Sequence, residues 1–200
     1  MNKPFLVGIT GGIGSGKSLI CRIFSILDIP VYDADTRAKW LMVHDPDLVN
    51  GILTIFGQQA YNGGELNRNY IAAQTFHDKY LTERLNSLVH PAVGKDFADW
   101  AGQQESNYVI KEAALLIESG SYKSLDFLVN VEAPASLRKE RVLKRDAHRD
   151  PQQVEDIMLR QLSDTERREK ADYTIRNDGK HMVIPQVLEL DGILRQRAGS

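Results

Sequence analysis

The sequence predicts an α/β fold, a parallel sheet with helices on both faces, from three observations. Short apolar runs rich in β-branched residues recur at 5–9, 29–32, 108–110, 127–131 and 173–175. Between them lie stretches whose apolar residues recur at helical spacing, and strands alternating with helices in this way form a parallel sheet covered on both sides. The first run also ends in glycines that lead directly into a helix, a junction that makes a loop at a strand's carboxyl end.

Taken in order, 5–9 is a buried strand. Residues 17–27 are a helix on the spacing of Leu19, Ile20, Ile23, Ile26 and Leu27. A second strand at 29–32 is stopped by Asp33-Ala34-Asp35, and a long helical region follows over 36–104. Asp45-Pro46, Asn62-Gly63-Gly64 and His90-Pro91 punctuate that region, and His90-Pro91 is expected to break a helix. After the strands at 108–110 and 127–131, Pro134 suits the first turn of a helix reaching about Arg145. Asp150-Pro151 opens another helix that runs to about Lys170. A last strand at 173–175 and a closing helix at 183–194 complete the chain.

Two hundred residues bury a sizeable core in one domain. A net charge of -2 supplies no basic field for nucleic acid, so no such partner is expected. The single cysteine, Cys21, excludes an intramolecular disulfide and fits a reducing compartment. Gly8, Thr10, Gly11 and Gly12 interrupt the N-terminal apolar run before it could act as a signal peptide. No stretch nears the roughly 18 apolar residues of a membrane span. A cytoplasmic protein with no membrane partner is expected.

Gly11-Gly12-Ile13-Gly14-Ser15-Gly16-Lys17-Ser18 fits the G-x-x-x-x-G-K-[ST] pattern in full, between a strand and an amphipathic helix. Glycines there let successive N–H groups turn inward onto phosphate oxygens. The following helix adds the positive end of its dipole. Lys17 would neutralise the β- and γ-phosphates of a nucleotide, and the Ser18 hydroxyl would ligate Mg²⁺. Gly12, Ile13, Gly14, Ser15, Gly16, Lys17, Ser18 and, through its N–H, Leu19 are thus the expected nucleotide contacts.

Phosphate binding alone leaves the reaction open. The only Asn-Lys pair, Asn2-Lys3, has no Asp after it, and Asp99-Trp100-Ala101-Gly102 lies in a polar helical stretch, so a GTPase is disfavoured. No apolar strand ends in Asp-Glu as in typical ATPases. Asp33 and Asp35 sit just past the second strand, where ligands gather in open α/β sheets. Either could take the proton of an attacking hydroxyl, or cap a helix starting near Thr36; Asp33 is the better base and Asp35 the better cap. Arg138, Arg141 and Arg145 share roughly one helix face, either as cations for a transferred phosphoryl group or as a solvated surface interleaved with Glu140, Asp146 and Asp150.

Read in order, these pieces resemble the dephospho-CoA kinase family. The residues that carry the resemblance are Thr10 to Ser18, Asp33-Ala34-Asp35 with Arg37, Gly64-Glu65-Leu66-Asn67-Arg68 and Leu88-Val89-His90-Pro91. Leu115-Leu116-Ile117-Glu118, Arg141 to Asp146, Arg160-Gln161 and Ala171-Asp172-Tyr173 through Asn177 continue it over nearly the whole chain. The resemblance implies a P-loop kinase with a five-stranded parallel core (1–35 and 105–200), a helical acceptor-binding insertion (about 36–104) and a short lid (about 141–152). It implies that ATP phosphorylates the ribose 3′-hydroxyl of dephospho-CoA, the last step of coenzyme A synthesis. Asp33 carries over as the base, Arg141 and Arg145 as lid residues, and Arg37, His90 and Glu118 as acceptor-side or structural positions. Another nucleoside or nucleotide kinase, or a nucleotide-dependent switch, are the competing readings.

Three positions depart from the family pattern. Leu19 stands where a second hydroxyl is common, Ala114 replaces a proline, and Ile117 replaces a phenylalanine. His44, His77, His90, His148 and His181 are scattered without metal-ligand spacing. Trp40 and Trp100 are expected to pack in the core.

Overall fold

Strand β1 (Phe5–Thr10) leads through the glycine loop into α1 (Lys17–Ile26) and β2 (Val31–Asp33). A helical segment follows: α2 (Ala34–His44), α3 (Pro46–Phe56), a hairpin of β3 (Tyr61–Asn62) and β4 (Glu65–Leu66), α4 (Arg68–Phe76) and α5 (Lys79–Ala101). The chain then runs through β5 (Tyr108–Glu112), β6 (Phe127–Glu132), α6 (Ala135–Arg145), α7 (Pro151–Arg160), α8 (Asp164–Lys170), β7 (Tyr173–Arg176) and α9 (Val183–Ala198). These elements come from a computed structural model that describes residues 3–76, 78–146 and 149–199. His77 and His148, the latter inside the expected lid, lie outside the described residues.

Five parallel strands form the main sheet in the order β2-β5-β1-β6-β7, with β1 in the middle. Its register sets Gly8 beside both Lys111 and Leu128, and Asp33 beside Glu112. One face is covered by α1 and α9. Ile20, Phe24, Val187, Leu190 and Leu194 pack there against Val7, Ile9, Ile110, Val129 and Ile175, all of them buried. Each such side chain contributes about 1.5–3 kcal/mol by leaving water. Tyr108 meets Phe24 edge to face, with ring centroids 6.5 Å apart, and its hydroxyl donates to Asp191 Oδ1 at 2.6 Å. Burial, joined by the hydrogen bond to Asp191, pushes this phenol well above its ordinary range.

The chain divides into two compact units, Met1–Asp33 with Ala101–Ser200, and Ala34–Trp100. The second unit corrects two expectations. His90-Pro91 does not break a helix, because α5 runs through Pro91. Val89, Val93 and Phe97 recur four residues apart and are all buried, so the apolar stripe continues on both sides of the proline. That burial outweighs the roughly 3 kcal/mol that an internal proline costs. Trp40 is not a core residue: it is 43% exposed, with the Arg37 guanidinium 4.1 Å from its ring centroid and His44 stacked at 4.3 Å.

Other boundaries also move. Asp35 is not the N-cap residue, because α2 starts at Ala34 and places Asp35 inside the first turn, where it favours the helix dipole. Pro134 sits one residue outside α6, as its N-cap. The single helix expected over 151–170 is two helices. Ser163 starts α8 as N-cap of a capping box with Glu166, and this ends α7 at Arg160. Among the described residues no helix is long and apolar enough to cross a membrane.

Candidate active site

The loop after β1 turns through Gly14 and Gly16, with φ of 78° and 97°, so that α1 begins directly at Lys17. Gly16 O accepts from the N–H groups of Leu19 and Ile20, at 3.0 and 3.2 Å. The N–H groups of Lys17 and Ser18, at the start of the helix, have no carbonyl of their own helix to bond, which makes this end an anion site. The Leu19 N–H points back to Gly16 O, and its side chain is 50% exposed.

Loop and helix are braced from β7. Asn177, buried, donates from Nδ2 to Ser15 O at 2.8 Å and accepts from Arg141 Nη2 at 3.4 Å. Lys17 Nζ lies 2.9 Å from Gly11 O, folded back over the loop. Gly14, Gly16, Lys17, Ser18, Arg141, Val142 and Arg145 line one hollow of about 180 Å³. The structure therefore brings both expected lid arginines to the phosphate loop. Arg145 meanwhile forms a two-point ion pair with Asp146, Nε and Nη2 each at 2.9 Å. That contact holds the Asp146 carboxyl down at about 2.

Glu112 was not singled out from the sequence. It ends β5 as the register partner of Asp33 and of Ile9. Ser18 Oγ donates to Glu112 Oε1 at 2.9 Å. One carboxylate, Glu112, thus meets the serine of the phosphate loop, and Asp33 ends the neighbouring strand beside it. The available signal was an acidic residue closing a buried strand. Cys21 lies below them, buried, and its thiol is pushed far up, first by burial and then by Glu112.

Glu118 belongs to a different cluster, behind the loop. It accepts the Leu162 N–H at 3.2 Å and lies 3.8 Å from Arg167 Nη2. Burial pushes the Arg167 guanidinium down, with Glu118 and Asp164 opposing that shift. In the helical unit, Arg37 makes a two-point ion pair with Asp96 at 2.7 and 2.8 Å, and the side of α5 bearing His90 is exposed.

A parallel sheet with a central strand running into a glycine loop, a lysine over that loop and carboxylates on the next strand ends define a P-loop kinase. A family model described as dephospho-CoA kinase matches residues 5–182, and the chain belongs to that family. A dephospho-CoA kinase from Porphyromonas gingivalis is 37% identical over 191 residues, covering 96% of this chain and 95% of that one. The crystal structure of TT1252 from Thermus thermophilus superposes with a TM-score of 0.83 at 28% identity, over 98% of both chains. A dephospho-CoA kinase from Campylobacter jejuni shares the fold at 20% identity, with a TM-score of 0.67 over 97% of both chains.

Proposed function

We propose that the chain transfers the γ-phosphoryl group of ATP to the ribose 3′-hydroxyl of dephospho-CoA, giving coenzyme A and ADP. The observation that carries this reading is the Ser18–Glu112 hydrogen bond at the strand ends that also bear Asp33, with Lys17 folded over the adjoining loop. The hydroxyl oxygen attacks the γ-phosphorus, the bond from that phosphorus to the ADP oxygen breaks, and the hydroxyl proton passes to the Asp33 carboxylate. Lys17 leaves Gly11 O to meet the terminal phosphates. Arg141 and Arg145 then oppose the charge on the transferred group, with residues of about 141–152 acting as a lid and the helical unit receiving the acceptor.

Ser18 Oγ and the Glu112 carboxylate, 2.9 Å apart, are hard oxygen donors of the kind Mg²⁺ takes with phosphates, so these residues fit the ion. Bound there, Mg²⁺ would neutralise charge on the β- and γ-phosphoryl oxygens. A cytoplasmic setting agrees with a lone, buried cysteine. The test is ADP release from ATP with and without dephospho-CoA. Release that depends on dephospho-CoA supports the proposal. Release that depends instead on a nucleoside or nucleotide, or nucleotide binding with no transfer to any acceptor, overturns it.

A further inference from the structure

We propose that Gln161 is a positioning residue for the terminal-phosphate edge of the loop, acting through the Ile13 N–H. The inference rests on the kinase reading above and adds a residue to it. Gln161 sits in the break between α7 and α8, half-buried, and its Oε1 accepts the Ile13 N–H at 2.8 Å. The edge it grips is the one that meets the outer phosphates. Lys17 Nζ lies against Gly11 O, so the lysine that reaches the β- and γ-phosphates stands at the start of the loop, two residues before Ile13. The inner phosphates fall to the helix end at Lys17 and Ser18.

The bond controls a peptide group with two possible faces. The Gly12 carbonyl accepts the Ser15 N–H at 3.1 Å, and the N–H of the same peptide is the one Gln161 holds. Without an acceptor for that N–H, only the Gly12 O–Ser15 bond holds the peptide, so rotation that turns its carbonyl towards the nucleotide becomes easier. A carbonyl dipole facing a terminal phosphate is repulsive, whereas a loop of inward N–H groups attracts it.

Gln161 is itself held by a closed set of charges. The next residue, Leu162, donates its N–H to Glu118 Oε1, and Glu118 faces Arg167. Arg167 Nη1 donates to Asp164 Oδ1 at 3.1 Å, and Arg138 Nη2 donates to Asp164 Oδ2 at 3.1 Å. Arg138, 6% exposed, closes the set against the loop: a Cβ on Gly12 would fall 2.1 Å from its Nη1. Ion pairs held by buried arginines are costly to rearrange singly, so the connector carrying Gln161 is a rigid support for Gly12 and Ile13.

The test uses Gln161→Met, which keeps the length and removes the acceptor, and Gln161→Asn, which keeps the amide one methylene short. Affinities for ADP and for a non-hydrolysable ATP analogue are measured on the full chain, with the Ile13 amide followed by ¹⁵N–¹H NMR. In both variants the analogue should bind about tenfold more weakly, the loss from one hydrogen bond, while ADP, which lacks the γ-phosphate, should lose clearly less. The Ile13 amide proton should move upfield and turnover should fall in step with the analogue. Equal losses for ADP and the analogue, no loss for either, or an unmoved Ile13 resonance overturns the proposal. Wild-type protein that binds the analogue but does not phosphorylate dephospho-CoA would instead sink the functional reading and leave this split intact.

Discussion

Replacing Gly14 by alanine puts a Cβ 2.4 Å from the carbonyl oxygen of Arg138 and 2.9 Å from Val142 Cγ2. Ordinary contact begins near 3.4 Å. The backbone of α6 must therefore retreat by about 1 Å, and a backbone carbonyl cannot swing aside as a side-chain tip can. Gly14 also has φ of 78°, a left-handed conformation that costs an L-residue about 1–2 kcal/mol. Gly179 is the natural control, because its φ is also 78° and nothing lies within 4 Å of its added Cβ. Gly179→Ala should cost only the conformational term. Gly14→Ala should cost that plus about 1–3 kcal/mol for the overpacked contact. For a chain of this size the difference is roughly 2–12 °C in Tm. Thermal unfolding of both variants measures it, and ATP binding should weaken in Gly14→Ala alone, because α6 carries Arg141 and Arg145 beside the loop. Equal melting temperatures for the two variants, with ATP affinity intact in Gly14→Ala, would refute the packing of α6 on the phosphate loop.

Asp33→Asn should lower turnover by about 10²–10⁴, as expected for a lost general base, with little change in Tm because the side chain is exposed at a strand end. Asp35→Asn should be much milder; the reverse order of effects in a dephospho-CoA phosphorylation assay would assign the base to the other carboxylate. Lys17→Ala should cost about 10²–10³ in turnover with the fold intact by circular dichroism, and near-normal turnover would remove the loop lysine from the chemistry. Arg145→Ala should lower kcat more than it raises the KM for ATP. The same variant should raise the Asp146 carboxyl from about 2 towards its ordinary value of 3.8, read by ¹³C NMR titration. The sign follows from the depressed value: the pairing favours the folded chain above about pH 4 and fades as pH falls through 2. A carboxyl still titrating near 2 in the variant would mean that Arg149, also paired with Asp146, holds it.

Sequence alone determined the parallel α/β class, the phosphate loop and most element cores. These depend on local rules. Period-two and period-3.6 burial, glycines in a turn and a lysine-serine pair at a helix start all act within a few residues. Some misreadings were local too. Ser163 and Glu166 spell a capping box, so the end of α7 was legible. Pro91 misled because one missing hydrogen bond was weighed without the buried Val89, Val93 and Phe97 stripe around it.

Only the tertiary structure decided which distant residues complete the site. Ser18 and Glu112 are 94 residues apart, and Ile13 and Gln161 are 148 apart. Glu112 reaches Ser18 because β5 inserts between β1 and β2, a strand order that no single run specifies. Gln161 reaches Ile13 because α7 ends where Glu118, Asp164 and two buried arginines fix the connector. A side chain's type is written locally, but its partner is chosen by how sheet order and helix ends bring segments together in space. The loop was therefore readable from eight residues, and its supports were not.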